Sequence, residues 1–374
     1  MAGIYIHIPF CKQACHYCDF HFSTNQSYKS LMIESIVREL ELQKKSLGES
    51  RIQSIYLGGG TPSLLSIKEI ESIINTIFKN YSLDTSPEIT LEANPDDLSK
   101  EYLLHLYRAG INRLSIGIQS FHDDFLKFMN RAHNAQEAER ATYLAKEAGF
   151  EHLTTDLIYG IPYKDHSVFE KDLEKIVALD TCHISAYCLT IEEKTVFGKW
   201  EKDGKLKVPE EEFAAEQLEI LMDFLPSHNF EQYEISNFAR NEKYSVHNTN
   251  YWRGIPYLGI GPGAHSFNIT HRQSNIANNL LYIKSIKEGR IPAITEKLSE
   301  KDRFNELLLT GLRTKWGIDI SKLSQAFPSF YKNIKPGIDN LIIHGLLSHT
   351  EDKITLTPSG KLLADEITSQ LLVV

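Results

Sequence analysis

The sequence lacks any long apolar run, and no segment approaches the roughly 18 apolar residues that a membrane-spanning helix needs. Its 374 residues carry a net charge of −9, with no excess of basic residues. A general nucleic-acid surface is therefore not expected, because such surfaces neutralise phosphates with clustered Lys and Arg. The start, MAGIYIHIPFC, lacks the basic and long apolar regions of a signal peptide. We expect a globular, cytoplasmic protein without a nucleic-acid partner.

Cysteine is also scarce, and three of the five cysteines lie close together in the pattern C-x3-C-x2-C. A chain of this length with so few cysteines does not have the disulfide framework of a small secreted protein. Cys11, Cys15 and Cys18 follow a strand-like segment, and three thiolates on one loop can hold three irons of a [4Fe-4S] cubane. The fourth iron would stay open to another ligand. The spacing leaves open a tetrahedral zinc site completed by His16 or His21.

Strand-like and helix-like segments alternate through the first half of the chain, and this order predicts an α/β fold. Helical periodicity is clearest at 27–45 and 66–78. About six such units favour a partial (β/α)6 barrel of the TIM type, with a parallel sheet covered by helices. The predicted strands are 4–8, 52–57, 88–93, 112–119, 152–160 and 183–189.

The alternation weakens after about residue 190, and the chain composition suggests three regions. Residues 1–230 would form the barrel domain. Residues 231–295 are polar and aromatic, and we expect a loop-rich extension packed on the barrel. Residues 296–374 contain three short helix-like segments followed by a β pair and a last helix. That order predicts a small winged-helix-like α+β domain.

Chemistry in barrels takes place at the carboxyl ends of the strands, where several polar motifs of this chain fall. The segment GGGTP at 58–62 could bring exposed N–H groups close to a ligand, or it could simply be a tight turn. Glu92, Gln119, Arg131 and Asp156 lie at or beyond later strand ends, where helix caps and rim residues also occur. Together they suit a cationic nucleoside that also carries an ammonium and a carboxylate.

Six segments in order, YIHIPFCKQACHYC, GGGTP, LEANP, IGIQSF, MNRAH and DLIYGIP, resemble one radical-SAM family. It contains oxygen-independent coproporphyrinogen III oxidase and the heme chaperone branch, and the resemblance covers nearly the whole chain. It implies a [4Fe-4S] cluster on Cys11, Cys15 and Cys18, with Tyr17 beside it. S-adenosylmethionine (SAM) would chelate the fourth iron. The residues that would surround SAM are Tyr5, Gly59, Gly60, Thr61, Glu92, Gln119, Arg131 and Asp156.

Three features resemble the chaperone branch more than the oxidase. The oxidase has a further cysteine two residues after the third, where this chain has Phe20. The oxidase also has an extension before its first strand, which here starts within a few residues of Met1. The segment HNTNYW at 247–252 resembles the HNxxYW signature of the chaperones. Imidazole is a good heme ligand, so His247 is the candidate heme contact, with His265 the next position to consider.

The resemblance therefore implies a cytoplasmic heme chaperone that delivers heme to acceptor hemoproteins, expected in the respiratory chain. Radical-SAM oxidation of coproporphyrinogen III is the first alternative, and a structural zinc protein is the second. Productive SAM cleavage, peripheral membrane contact and homodimer formation stay open. The remaining cysteines, Cys182 and Cys188, are expected to be buried as small hydrophobic residues.

Overall fold

The computed structural model describes residues 1–208 and 210–373. At its centre, six parallel strands pair in the order in which they occur along the chain. At least one helix connects each strand to the next, so the predicted series of six β/α units is confirmed. The strands are β1 (Ala2–Ile8), β2 (Ile52–Gly59), β3 (Leu83–Ala93), β4 (Arg113–Gln119), β5 (His152–Tyr159) and β6 (His183–Cys188).

Most helices of this region are amphipathic and cover one face of the sheet, whereas the helices Asp123–Phe128 and Val196–Lys202 belong to a separate apolar cluster. The helices are α1 (Lys29–Leu42), α2 (Ile67–Asn80), α3 (Lys100–Arg108), α4 (Asp123–Phe128), α5 (Ala135–Glu147), α6 (Ser167–Ala178), α7 (Val196–Lys202) and α8 (Glu211–Ser227). In α2 the buried residues Ile70, Ile73 and Ile77 recur at helical spacing. Its first turn is fixed by a capping box between Ser66 and Glu69. The helical period of the sequence thus sets which side of α2 packs on the sheet.

The pleat of β1 separates core residues from site residues. Ile4, Ile6 and Ile8 are fully buried in the main core together with residues of the covering helices. Because side chains alternate along a strand, Tyr5 and His7 point to the opposite side, which we call the inner face. Polar side chains can therefore gather on the inner face while the helix side stays apolar.

Further strands extend the sheet at both edges, giving twelve strands that do not close into a ring within the described residues. The predicted partial barrel is confirmed in this open form. Residues 231–295 contain more strands and helices than the expected loop-rich extension. The sequence did not indicate these strands, because they are too short and too polar to show periodicity. The added elements are β7 (Glu231–Glu234), β8 (Asn237–Ala239), α9 (Val246–Trp252), β9 (Tyr257–Ile260), β10 (His265–Phe267), β11 (His271–Asn275), α10 (Asn279–Lys287) and β12 (Ala293–Lys297).

A buried carboxylate on α1 fastens the added strands to the barrel. Glu39 is fully buried and accepts hydrogen bonds from the Gly261 N–H and the Asn275 amide, each over 2.8 Å. It also accepts hydrogen bonds from the Tyr282 hydroxyl and from the Gln43 amide. A buried charge is tolerated when its oxygens are bonded in this way, so α1, β11 and α10 are held as one unit.

The C-terminal domain has its own hydrophobic core and a three-stranded sheet ordered β13-β15-β14. Three helices precede a β hairpin, which confirms the predicted winged-helix-like arrangement. One helix starts earlier than its sequence pattern indicated and continues through Pro336. The elements are α11 (Glu300–Leu312), β13 (Ile318–Asp319), α12 (Ile320–Ala326), α13 (Pro328–Ile343), β14 (Leu347–Thr350), β15 (Lys353–Leu356), α14 (Pro358–Leu362) and α15 (Ala364–Leu371).

This domain covers the β7 edge of the large sheet. The Ile235 N–H donates to the Arg313 carbonyl over 3.1 Å, and the Lys315 N–H donates to the Tyr233 carbonyl over 3.0 Å. Backbone groups at a sheet edge need partners, so these bonds close one edge. In the part of the chain that the structure describes, no helix combines the length and apolar character needed to cross a membrane.

Candidate functional site

A cavity of about 500 Å³ opens at the carboxyl ends of the parallel strands. Eleven of the thirteen residues selected from the sequence line it, and they come from the loop after β1, from the carboxyl-terminal parts of β2 to β5 and from the segment after α4. These are Cys11, Cys15, Tyr17, Cys18, Gly59, Gly60, Thr61, Glu92, Gln119, Arg131 and Asp156. Tyr5 and His247 do not line the cavity, although both had been selected as binding residues.

The three-cysteine loop forms one wall of this cavity. Its base is closed by backbone hydrogen bonds from Cys11 N–H to the Ser23 carbonyl and from Ser23 N–H to the Pro9 carbonyl. All three cysteines are half-buried free thiols. Burial raises the pKa of Cys11 and of Cys18 to about 11. Because metal ligation requires thiolates, loading this loop releases protons.

The donor set of this loop fits a cluster better than a single ion. Among residues 1–208 and 210–373, no three His, Cys, Asp or Glu side chains converge on a point where one metal ion could be held. Tetrahedral zinc needs such convergence, because all its ligands bind the same atom. In a cubane each thiolate binds a different iron, so the thiols lie farther apart. The arrangement therefore gives no support to the zinc alternative.

The glycine turn after β2 packs against the cysteine loop instead of offering free N–H groups. A Cβ on Gly59, whose φ is +106°, would come within 2.5 Å of the His7 ring, and one on Gly60 would come within 2.6 Å of the Phe10 carbonyl oxygen. Gly60 N–H donates to Ile8, Thr61 N–H to Phe10, and Gly59 N–H to Glu92. The expectation of exposed N–H donors is wrong, because the protein itself uses all three.

Glu92, near the end of β3, is one of the carboxylates that line the cavity. It accepts a hydrogen bond of 2.7 Å from the Tyr56 hydroxyl and one of 3.0 Å from the Gly59 N–H. Burial raises its pKa, and these two hydrogen bonds oppose the shift. Tyr56 was not selected from the sequence, although it alternates with core residues along β2 as Tyr5 does along β1.

Arg131 joins the cysteine loop to the ends of β3 and β4. Its guanidinium lies 3.4 Å from the Cys15 sulfur and from the Tyr17 hydroxyl. It donates to the Asn94 side chain over 2.7 Å and to the Gly117 carbonyl over 2.9 Å. Its buried Nε has no hydrogen-bond partner within the described chain.

Asp156 and Gln119 complete the wall on the β4 and β5 side. Both carboxylate oxygens of Asp156 lie 3.2 Å from the Ser115 hydroxyl. Burial, reinforced by the nearby charge of Glu92, raises the pKa of Asp156 to about 7. Gln119 has a left-handed backbone with φ of 69°, at a point where the register between β4 and β5 shifts. Such backbone strain is concentrated at functional sites.

Tyr5 and His247 belong to a separate group: His247 lies beside Gly3 and Ser54, near the starts of β1 and β2, and Tyr5 is in the middle of β1. His247, on α9, shares a 2.9 Å hydrogen bond between its Nδ1 and the Ser54 hydroxyl. Its ring stacks on Tyr56 with centroids 4.9 Å apart, and Tyr5 lies 6.4 Å away. Burial lowers the pKa of His247 to about 4, so its imidazole is neutral at physiological pH. The Tyr5 hydroxyl shares a hydrogen bond of 3.1 Å with the His7 ring, and neither residue lines the cavity.

Two further expectations concern residues outside the main set. Cys188 ends β6, is exposed and lines the cavity, so the prediction that it is buried is wrong. Cys182 is half-buried, with its sulfur 3.5 Å from the Leu153 carbonyl oxygen. His265 is exposed at the start of β10 and does not line the cavity. Phe20 does line the cavity and is 71% exposed.

Comparisons with known proteins agree with this geometry. Residues 5–176 match the Radical SAM superfamily, and residues 298–363 match the HemN C-terminal domain. The heme chaperone HemW of Bacillus subtilis (strain 168) is 36% identical over 374 residues, 98% of this chain and 98% of that protein. The chain belongs to the HemW family of radical SAM proteins. HemW of Escherichia coli (strain K12) is 31% identical over 371 residues, 98% of this chain and 96% of that protein.

The fold is shared more widely than the HemW family. Coproporphyrinogen III oxidase (HemN) from Escherichia coli, a radical SAM enzyme, has a TM-score of 0.85 at 21% identity, covering 100% of this chain and 90% of that chain. At 21% identity this likeness confirms the fold, and no function is inferred from it. Membership of the radical SAM superfamily implies a [4Fe-4S] cluster and SAM.

Proposed function

We propose that this protein is a heme chaperone that holds a [4Fe-4S] cluster and SAM in the cavity and heme beside α9. It would pass the heme to acceptor hemoproteins of the respiratory chain, in the cytoplasm. The observation that carries the proposal is end-to-end similarity to HemW relatives in a chain whose cysteines and charged residues line one cavity. Relatives that match over only one domain would not support a shared function of the whole chain.

The cluster site would be formed by Cys11, Cys15 and Cys18. A bound cluster supplies a redox-active iron centre with one iron open to SAM. The chain contributes two further features. The positive charge of Arg131 opposes the rise in the pKa of Cys11 and Cys18, and Tyr17 lines the cavity next to the loop.

The SAM site would use the charged residues around the cavity centre. Glu92 would accept a hydrogen bond from the ligand ammonium, and the Arg131 guanidinium would pair with the ligand carboxylate. Asp156 and Gln119 would bond the ribose hydroxyls. The Gly59–Thr61 turn would act by shape, since its N–H groups are already bonded to protein acceptors.

The heme site would lie at the other end of the strands, on the face that carries α9. His247 is neutral, and because its Nδ1 is bonded to Ser54, the other ring nitrogen is the one left for heme iron. Tyr251, 43% exposed on the same helix, and the neighbouring Tyr257 provide aromatic surface for a porphyrin. Heme and SAM would then occupy opposite ends of the barrel.

Oxygen-independent coproporphyrinogen III oxidation is the second candidate, favoured by the match of residues 298–363 to the HemN C-terminal domain. One experiment separates the two. Protein reconstituted without oxygen should take up about one heme per chain and transfer it to an apo-hemoprotein. It should form no protoporphyrinogen from coproporphyrinogen III under reducing conditions. Decarboxylation at enzymatic rates would overturn the chaperone proposal.

The heme ligand is tested by His247→Ala, with His265→Ala as the matched control. The first variant should weaken heme binding or change the heme absorption spectrum while leaving the cluster intact. The second should behave like the unmodified protein, because His265 is an exposed residue on β10, outside α9. Normal heme spectra in His247→Ala, with changed spectra in His265→Ala, would move the ligand to His265.

A further inference from the structure

The cavity residue Gln119 is held in a strained turn. Its φ of 69° lies in the left-handed region that residues other than glycine rarely adopt. Arg131 bonds the Gly117 carbonyl, and the His133 ring bonds the Ile118 carbonyl over 3.0 Å. These contacts hold the turn from its amino-terminal side. Strain of this kind persists only where the surroundings fix the backbone from both sides.

A buried aspartate on α6 holds the other side of the turn. Asp172 is 3% exposed, and its two oxygens accept hydrogen bonds from the Ser120 hydroxyl over 2.5 Å and from the Phe121 N–H over 2.8 Å. The Ser120 hydroxyl oxygen in turn accepts from the His122 N–H over 3.1 Å. Asp172 does not line the cavity. Its contacts with the site therefore run through the backbone after Gln119.

We propose that Asp172 is a positioning residue for SAM, because its bonds to Ser120 and Phe121 fix the turn that presents Gln119 to the cavity. The inference rests on the proposed SAM site and assigns it a residue on a helix outside the cavity. A carboxylate suits this position, because each of its two oxygens can accept a hydrogen bond from one of the two neighbouring donors. Burial raises the pKa of Asp172 to about 6, which leaves the group ionised at pH 7.5.

Asp172→Asn keeps the side-chain shape but replaces one accepting oxygen with an amide donor. We expect SAM to bind at least fivefold more weakly to the reconstituted variant, measured by calorimetry, with unchanged cluster absorption. Because Asp172 acts through Gln119, it should have no further effect once the Gln119 side chain is removed. The double variant Asp172→Asn with Gln119→Ala should therefore bind SAM as Gln119→Ala does.

Ser120→Ala tests the same turn with a milder change and serves if Asp172→Asn folds poorly. Ser120→Ala should weaken SAM binding less than Asp172→Asn does. Like Asp172→Asn, it should have no further effect when it is added to Gln119→Ala. Glu39→Gln is the matched control, because Glu39 is a buried carboxylate with neutral donors on a helix away from the cavity. It should lower the unfolding temperature and leave SAM affinity unchanged.

The inference is overturned if Asp172→Asn keeps the affinity of the unmodified protein within twofold, or if its effect simply adds to that of Gln119→Ala. It is also overturned if Glu39→Gln weakens SAM binding equally, since the effect would then be general destabilisation. Unmodified protein that holds the cluster but binds no SAM would overturn the proposed SAM site together with the inference. The two failures are thus distinguishable.

Discussion

Tyr56 donates its hydroxyl hydrogen to Glu92 across the inner face of the sheet, over 2.7 Å. Its ring is also stacked on His247, with centroids 4.9 Å apart. One side chain thus separates the cavity from the group around α9. Packing and hydrogen bonding can be changed independently at this position, because one involves the ring and the other only the hydroxyl.

Tyr56→Phe should lower the free energy of unfolding by about 1.5–3 kcal/mol, the range for a hydrogen bond to a charged group. The phenyl ring should still stack on His247, so the absorption spectrum of bound heme should not change. Urea unfolding and heme titration measure the two effects. Unfolding identical to that of the unmodified protein would show that Glu92 does not depend on this hydroxyl.

Replacing any one of Cys11, Cys15 and Cys18 by Ala should abolish cluster binding. Reconstituted protein should contain about four irons and four sulfides per chain, and each variant should contain almost none. Cys188→Ser is the sharpest control, because this thiol lines the same cavity. It should keep a full cluster. Loss of iron in that variant would mean that the fourth thiol also binds the cluster.

Glu92→Gln should weaken SAM binding tenfold or more without removing the cluster, because a neutral amide cannot balance the ligand ammonium. Glu88→Gln on the same strand is the control. Glu88 accepts hydrogen bonds from the N–H groups of Val246 and His247 at the start of α9. The Glu88→Gln variant should leave SAM affinity, measured by calorimetry, unchanged. Equal losses in both variants would remove Glu92 from the SAM site.

Asp156→Asn should stabilise the cluster-free protein more at pH 8 than at pH 5. The folded-state pKa of Asp156 is about 7, above its ordinary value of 3.8. The folded state therefore binds this proton more tightly, and stability falls as pH rises between these values. Above pH 7 the penalty is complete, and the variant avoids it. Unfolding temperatures that differ equally at both pH values would contradict this account.

Glu39→Gln should lower the free energy of unfolding by roughly 1–3 kcal/mol, because it leaves a buried donor unpaired. Hydrogen exchange should speed up at the Gly261 amide, which donates directly to Glu39. The amide of Leu57, in the central strand β2, should keep its protection until global unfolding. Unchanged exchange at Gly261 would show that other contacts hold the added strands.

The sequence was sufficient to predict the central sheet, because apolar strands of β1 to β6 alternate with strongly periodic helices. It was insufficient for β9 to β12. The segment HRQSN of β11, for example, has no apolar alternation, and it forms a strand only because β10 and β12 pair with it on both sides. A strand of this kind is fixed by its neighbours in the sheet, and its own residues show no periodic pattern.

The candidate site was likewise predicted only in part from the sequence. The cysteine spacing and the strand-end rule placed Cys11, Glu92 and Asp156 correctly around one cavity. Tyr5 lies on the inner face but does not line the cavity, although its register partner Tyr56 does, and its contact with SAM stays a prediction. No sequence pattern indicated a role for Asp172. Its hydrogen bonds to Ser120 and Phe121 are recognisable only when the structure shows α6 beside the end of β4.

The pairing of β1 has a consequence for how the chain is made. Strand β1 is synthesised before the other strands of its sheet, but one of its two neighbours is β9, at Tyr257–Ile260. Until β9 has been synthesised, β1 keeps an open edge beside apolar residues such as Ile4 and Ile6. Unpaired edges of this kind favour aggregation during synthesis. The cysteine loop, which continues directly from β1, therefore acquires its final support only late in translation.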